Sequence, residues 1–120
     1  MTVQPTLAAA STGGAQPSRP PAIDLDHLAT QSMGDRAVER EVLAMFAGQA
    51  RRCMDELAQA DEAGRKAIAH RLLGSARAVG AYAVADAAEA LEDRPDSRAQ
   101  LAALGAAVLE AERFILEHCA

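Results

Sequence analysis

Ala69-His70-Arg71-Leu72-Leu73-Gly74-Ser75-Ala76-Arg77-Ala78-Val79-Gly80-Ala81 sets one histidine among helix-forming residues, with a glycine four positions later. A glycine inside a helix costs roughly 1 kcal/mol relative to alanine, so its presence asks for a compensating gain. Positions i and i+4 stack on one helix face, and Gly74 therefore removes the side chain that would crowd the His70 imidazole. At about 100° per residue, Ala63, Lys66, Ala67, Gly74 and Arg77 fall within roughly 60° of His70, a small and basic face. Ile68, Leu72, Ser75, Ala76 and Val79 fall opposite and form the stripe that packs into a core. Ser75 is its one polar member, satisfied by a bond from its hydroxyl to a carbonyl one turn earlier. The pattern predicts a helix capped by Asp61 and ending near Gly80, with His70 facing solvent between two cations.

An imidazole has an ordinary pKa near 6.5, which leaves a nucleophilic nitrogen at neutral pH, and histidine is among the side chains that form covalent intermediates. Phosphoryl transfer asks a protein mainly for positioning and charge stabilisation. Lys66 and Arg77 are placed to neutralise a transferred group. The carboxylate and metal ion that such a reaction also needs are not evident beside His70, so a partner is expected to supply them.

The run from His70 to Ala81 resembles the signature of histidine-containing phosphotransfer (HPt) domains of bacterial phosphorelays, roughly H-x-L-K-G-S-x-x-x-x-G-A. Downstream, Val84-Ala85-Asp86-Ala87-Ala88-Glu89-Ala90-Leu91-Glu92 is similar to the family's helix ending in Leu-Glu. Upstream, Gly34-Asp35 followed by Glu41-Val42-Leu43 and Phe46 resembles its first long helix. The likeness covers about residues 24 to 118. It implies that His70 takes a phosphoryl group from one receiver-domain aspartate and passes it to another, the partners being response-regulator receiver domains and a hybrid histidine kinase. Gly74 and Ser75 of the signature, with Lys66 and Arg77, would support the acceptor, and Ala67, Arg71 and Leu73 would meet the partner. The family usually has a lysine where this chain has Leu73. By helical angle Leu73 sits at the edge of the His70 face, about 60° off, where it offers an apolar docking contact, and Lys66 and Arg77 are candidates to replace the missing charge.

The chain has 120 residues and a formal net charge of −5. That length allows one domain, expected over residues 23–120. Residues 1–22 are Ala, Ser, Thr, Gly, Pro and Gln for the most part, with Pro17, Pro20 and Pro21 close together. So little apolar content does not offset the ordering entropy, and the stretch reads as a disordered leader. It lacks the cationic start and apolar run of a secretory signal, and no apolar run approaches the roughly 18 residues that span a membrane. The negative charge argues against nucleic acid, whereas a basic spot on an acidic protein suits an acidic pocket on a partner. Cys53 and Cys119 have no zinc-like spacing and read as small packed hydrophobes, in keeping with a reducing cytoplasm. His27 and His118 share no ligand pattern with His70, so no metal site and no cofactor are expected.

Alanine, leucine and glutamate dominate, and β-branched or aromatic strand runs are absent. Asp24 or Asp26 caps a short helix through about Met33, and Gly34 breaks it. Asp35 caps a long helix to about Ala60, whose apolar positions are Val38, Val42, Met45, Phe46, Cys53 and Leu57. A further helix runs from Tyr82 to before Pro95. The last, capped by Asp96 or Ser97, presents Leu101, Leu104, Val108, Ile115 and Leu116, with Leu109 flanking. Short connections imply antiparallel neighbours. The expected fold is all-α, an antiparallel up-down-up-down four-helix bundle with a short extra N-terminal helix, Phe46, Phe114 and Tyr82 being its only aromatics.

No nucleotide-phosphate loop, kinase Gly-rich lid or Ser/His/Asp constellation appears, and Glu89 and Glu92 read as ordinary exposed helix residues. The expectation is a monomeric phosphoryl carrier without kinase activity of its own. A non-catalytic helical adaptor that binds a receiver domain is the alternative, and replacing His70 by alanine would leave its function intact. The dimerisation domain of a histidine kinase fits less well, because its histidine is normally followed by an acidic residue, and here Arg71 follows.

Overall fold

The computed structural model of the protein describes residues 21–119. Five helices follow in order: α1 (Leu25–Ser32), α2 (Arg36–Gln59), α3 (Glu62–Val79), α4 (Tyr82–Asp93) and α5 (Arg98–Cys119). No strand occurs among the described residues. The leader expected over 1–22 lies, apart from Pro21 and Ala22, outside them.

The aspartates start the helices as expected, each accepting backbone N–H groups that have no intrahelical partner. Asp24 accepts from His27 N at 3.1 Å. Asp35 accepts from Ala37 N at 2.9 Å and Val38 N at 3.1 Å. Asp61 accepts from Gly64 N at 2.8 Å. Of the two candidates for α5, Ser97 is the cap, its Oγ accepting from Gln100 N at 3.1 Å. α3 ends at Gly80 with φ 82°, and Ala81 N donates to Ala76 O at 2.8 Å, closing the helix with a left-handed glycine. The break after α1 begins one residue earlier than Gly34: Met33 already has φ 56°. A non-glycine residue pays about 1–2 kcal/mol for that conformation, and the Gly34 N–H bonded to Ala29 O at 2.9 Å fixes the turn.

α2 packs on α3, α3 on α4, α4 on α5 and α5 back on α2, which closes the four-helix bundle. The most extensive of these contacts is between α3 and α4. The core holds Leu43, Phe46, Leu57, Leu72, Leu91 and Leu104 at its wide parts, and Ala50, Ala69, Ala76, Ala85, Ala88 and Ala111 where helices approach closely. α1 lies against α2 and α3, and Ile23 just before it and Leu28 within it are both fully buried. It is tied to the α3–α4 turn by a backbone bond, Asp24 N donating to Gly80 O at 2.9 Å, and by a side-chain bond, His27 Nε2–H donating to Ala78 O at 3.0 Å.

Several positions assigned to the apolar stripes face outward instead. Val38 and Met45 of α2 are exposed, Leu43 takes the core place between them, and Leu116 of α5 is exposed, with Ala111 filling the inner line. Met45 lies between the buried Leu43 and Phe46, and Leu116 next to the buried Ile115, so these side chains are exposed because they point to the outer face of their helices. Tyr82 is also exposed, edge-on to His27 with ring centroids 6.0 Å apart. Phe114 is half-buried and stacks on His118.

Gly80 shows where the α1 tether is most sensitive. A Cβ there would stand 3.1 Å from Asp24 O, 3.2 Å from Asp24 Cβ and 3.3 Å from His27 Cδ2, on a backbone with φ +82°. Gly80→Ala is expected to destabilise the protein by about 2 kcal/mol and to lower the melting temperature by on the order of 10 °C, as read by circular dichroism.

Candidate functional site

His70 stands in the middle of α3 on the face that the bundle leaves open, its side chain 72% exposed. α3 presents it because Ile68, Leu72, Ala76 and Val79 are drawn into the core on the other side. Its ring is held from α4: Nδ1 lies 2.9 Å from Glu92 Oε2. An ionised carboxylate only accepts, so the proton of the neutral imidazole sits on Nδ1 and the lone pair on Nε2, directed to solvent. Glu92 itself is largely shielded.

This carboxylate is the site residue that the sequence reading passed over. The signal was present in the hairpin register. α3 and α4 run antiparallel about Ala81, and His70 and Glu92 stand equally far from it along the chain. Both are then brought level on neighbouring helices.

Gly74 is exposed, and a Cβ built on it would meet none of the described residues within 4 Å. The missing side chain thus makes no room for the imidazole, which leans towards α4. The space it leaves is open to whatever approaches His70 from outside.

The other expected residues divide. Lys66 and Ala67 are exposed one turn before His70, and among the described residues Lys66 makes no ion pair. Arg77 is on the same side but engages Glu89 at 3.3 Å. Arg71 bonds Glu56 at 2.8 Å and reaches Cys53 Sγ at 3.8 Å; these two hydrogen bonds hold its pKa above the ordinary arginine value. The basic face is therefore largely neutralised by carboxylates of α2 and α4, leaving Lys66 as its unpaired cation.

Two further expectations are corrected. Leu73, assigned to the docking surface, is 6% exposed and belongs to the core. The contact between α3 and α4 covers the edge of the His70 face on which it lies, so its side chain offers a partner nothing. Ser75 does not bond back within its own helix. Its Oγ accepts from Gln49 Nε2 of α2 at 2.8 Å, a half-buried link that joins α2 to the site helix. Gln49 and Ser75 floor an open groove between α2 and α3, about 540 Å³ in volume, with Met45, Arg52, Ala78 and Val79 around them.

Among the described residues, no group of three or more His, Cys, Asp or Glu side chains is arranged to hold a metal ion. In the same residues, no helix is long and apolar enough to cross a membrane.

The family model of the Hpt domain matches residues 41–114. That span takes in α3, α4, most of α2 and most of α5, and the chain belongs to the Hpt domain family. It is thus a phosphocarrier module of the histidine phosphotransfer reactions in two-component signalling, a class distinct from the kinases. No curated protein and no solved structure matches the chain.

The His70–Glu92 bond has a direct spectroscopic consequence. Nitrogen-detected NMR of the imidazole is expected to show Nδ1–H as the main neutral tautomer. In Glu92→Ala the population should shift towards Nε2–H, and labelling by phosphoramidate should slow a few-fold for want of the orienting hydrogen bond.

Proposed function

We propose that His70 is the phosphoryl acceptor and that the protein carries the group between two receiver domains. The observation that bears most weight is the exposed imidazole with Nδ1 engaged by Glu92 and Nε2 free. In the forward step the Nε2 lone pair attacks the phosphorus of an aspartyl phosphate on the donor. The bond from phosphorus to the aspartate oxygen breaks, and its electron pair returns to the donor carboxylate. The Nδ1 proton stays where it is, and Glu92 faces the positive charge that the ring acquires. Lys66 is placed to meet the phosphoryl oxygens as they arrive. The return step, to a second receiver aspartate, is the same sequence reversed.

Docking is assigned to the face around Gly74, with Ala67 on one side and the α2–α3 groove on the other. Arg71 stands at its edge, already tied to Glu56. A hybrid histidine kinase is the natural source of the first phosphoryl group, and the cytoplasm is the compartment in which such partners work. A receiver-binding adaptor without transfer remains the second reading. It is favoured by the engagement of Arg71 and Arg77 with carboxylates, which leaves less free charge for a phosphoryl group.

Two variants separate these readings. His70→Gln is expected to lose all acid-labile phosphorylation by phosphoramidate, with His27 and His118 as internal controls, in intact mass and ³¹P NMR. Retention of the label at another histidine, with none at His70 in the parent protein, would favour the adaptor. Gly74→Ala should stabilise the fold by about 0.5–1 kcal/mol, as alanine replaces glycine in an open helical position. The same variant should slow transfer from a phosphorylated receiver by roughly tenfold or more, since small misplacements of reacting groups are costly. Its labelling by small phosphoramidate should change little, because only a bulky donor needs the vacated space.

A further inference from the structure

Across the bundle from α3, α5 carries a pattern that the fold does not use. Leu109 is 53% exposed and Leu116 73%. They lie two turns apart with Arg113 between them, turned away from the inner line of Leu104, Val108, Ala111 and Ile115. They edge a groove of about 700 Å³ whose opposite wall is Ala44, Ala47 and Arg51 of α2. The two alanines leave that wall shallow enough to admit a leucine side chain.

The stretch Leu109-Glu110-Ala111-Glu112-Arg113-Phe114-Ile115-Leu116 matches itself when a second helix runs antiparallel to it. With the two-fold axis between Glu112 and Arg113, Leu109 meets Leu116 of the second copy, and Glu112 meets Arg113 in both directions. A two-fold interface requires this kind of self-complementarity, each patch facing its own copy. Among the described residues Arg113 makes no ion pair. Glu112 already binds Arg51, with Nε at 3.0 Å and Nη2 at 2.8 Å, and a carboxylate has lone pairs enough for a second guanidinium.

We infer that α5 and the groove beside it form a homodimer interface, the occupant being a second copy of this chain packed antiparallel along Leu109–Leu116. This departs from the single copy expected of the sequence. The patch is one face of two helical turns, against the roughly 20–30 residues a side of a standard stable interface, so association is micromolar or weaker. α5 contacts α2 and α4, and α3 lies diagonally across, so pairing leaves both copies of His70 uncovered. The inference is independent of the chemistry at His70.

Sedimentation equilibrium on the full chain, from low micromolar to near-millimolar concentration, tests it. The apparent mass is expected to rise from 12.5 kDa towards twice that value. Leu109→Asp/Leu116→Asp should stay at the single-chain mass throughout, with the melting curve of the parent protein. Arg113→Glu, which sets carboxylates of the two copies against each other, should weaken association by about tenfold. A parent protein that remains a single chain at the highest concentration overturns the inference. So does a dimer that survives the double aspartate variant, or one that Arg113→Glu leaves equally tight.

Discussion

The approach of α3 to α4 is the constraint on which the rest of the structure depends. Both helices turn alanine towards each other, Ala69 and Ala76 from one and Ala85 and Ala88 from the other, all buried. Small side chains let backbones come close, at the cost of burying little apolar area per residue. The short turn at Gly80–Ala81 keeps the pair in register, and α1 holds that turn through the Asp24–Gly80 bond. His70 and Glu92 are bonded because the two helices are this near and aligned this way. α2 and α5 complete the enclosure, and α2 is joined to the site helix by the Gln49–Ser75 link.

Charge on the outer face follows from the same arrangement. The sequence places three cations close to His70, and a net charge of −5 means that carboxylates outnumber them. Once the helices are assembled, Arg71 finds Glu56 on α2 and Arg77 finds Glu89 on α4. Such exposed pairs contribute little to stability, but they alter what a visitor to the surface meets. Arg51 and Glu112 make the corresponding bond across α2 and α5, and there the hydrogen bond first and the charge second hold the arginine pKa above its ordinary value.

Much of this was legible in the sequence. The aspartate caps, the glycine stop at Gly80 and the proline limit on α4 are local signals, set by the chain within a turn of each residue, and they fell where local physics places them. The all-helical bundle followed from these signals and the short connections, whereas the HPt-like signature rested on the resemblance of the run from His70 to Ala81. Contacts between helices were less so. Leu73 lies at the rim of a face, and only the nearness of α4 decides that the rim is interior. Met45 and Leu116 keep apolar spacing, yet they turn to the outer face, where no neighbouring helix covers them, while Phe46 and Ile115 beside them are buried. Glu92 looked like any exposed glutamate until the hairpin register was counted. Periodicity measures angles on one helix, while burial and pairing depend on where the neighbouring helix stops.

The open surroundings of Gly74 bear on the direction of signalling. On the proposed reading, nothing among the described residues closes over the acceptor, since even a methyl at position 74 would touch none of them. A site so plain offers donor and recipient the same path, and the barrier met on the way in is also met on the way out. Flow then follows mass action: the more labile or more abundant aspartyl phosphate empties into the other through His70. The protein would act as a conduit that equilibrates two reservoirs, and whichever partner loses its phosphate by hydrolysis becomes the drain.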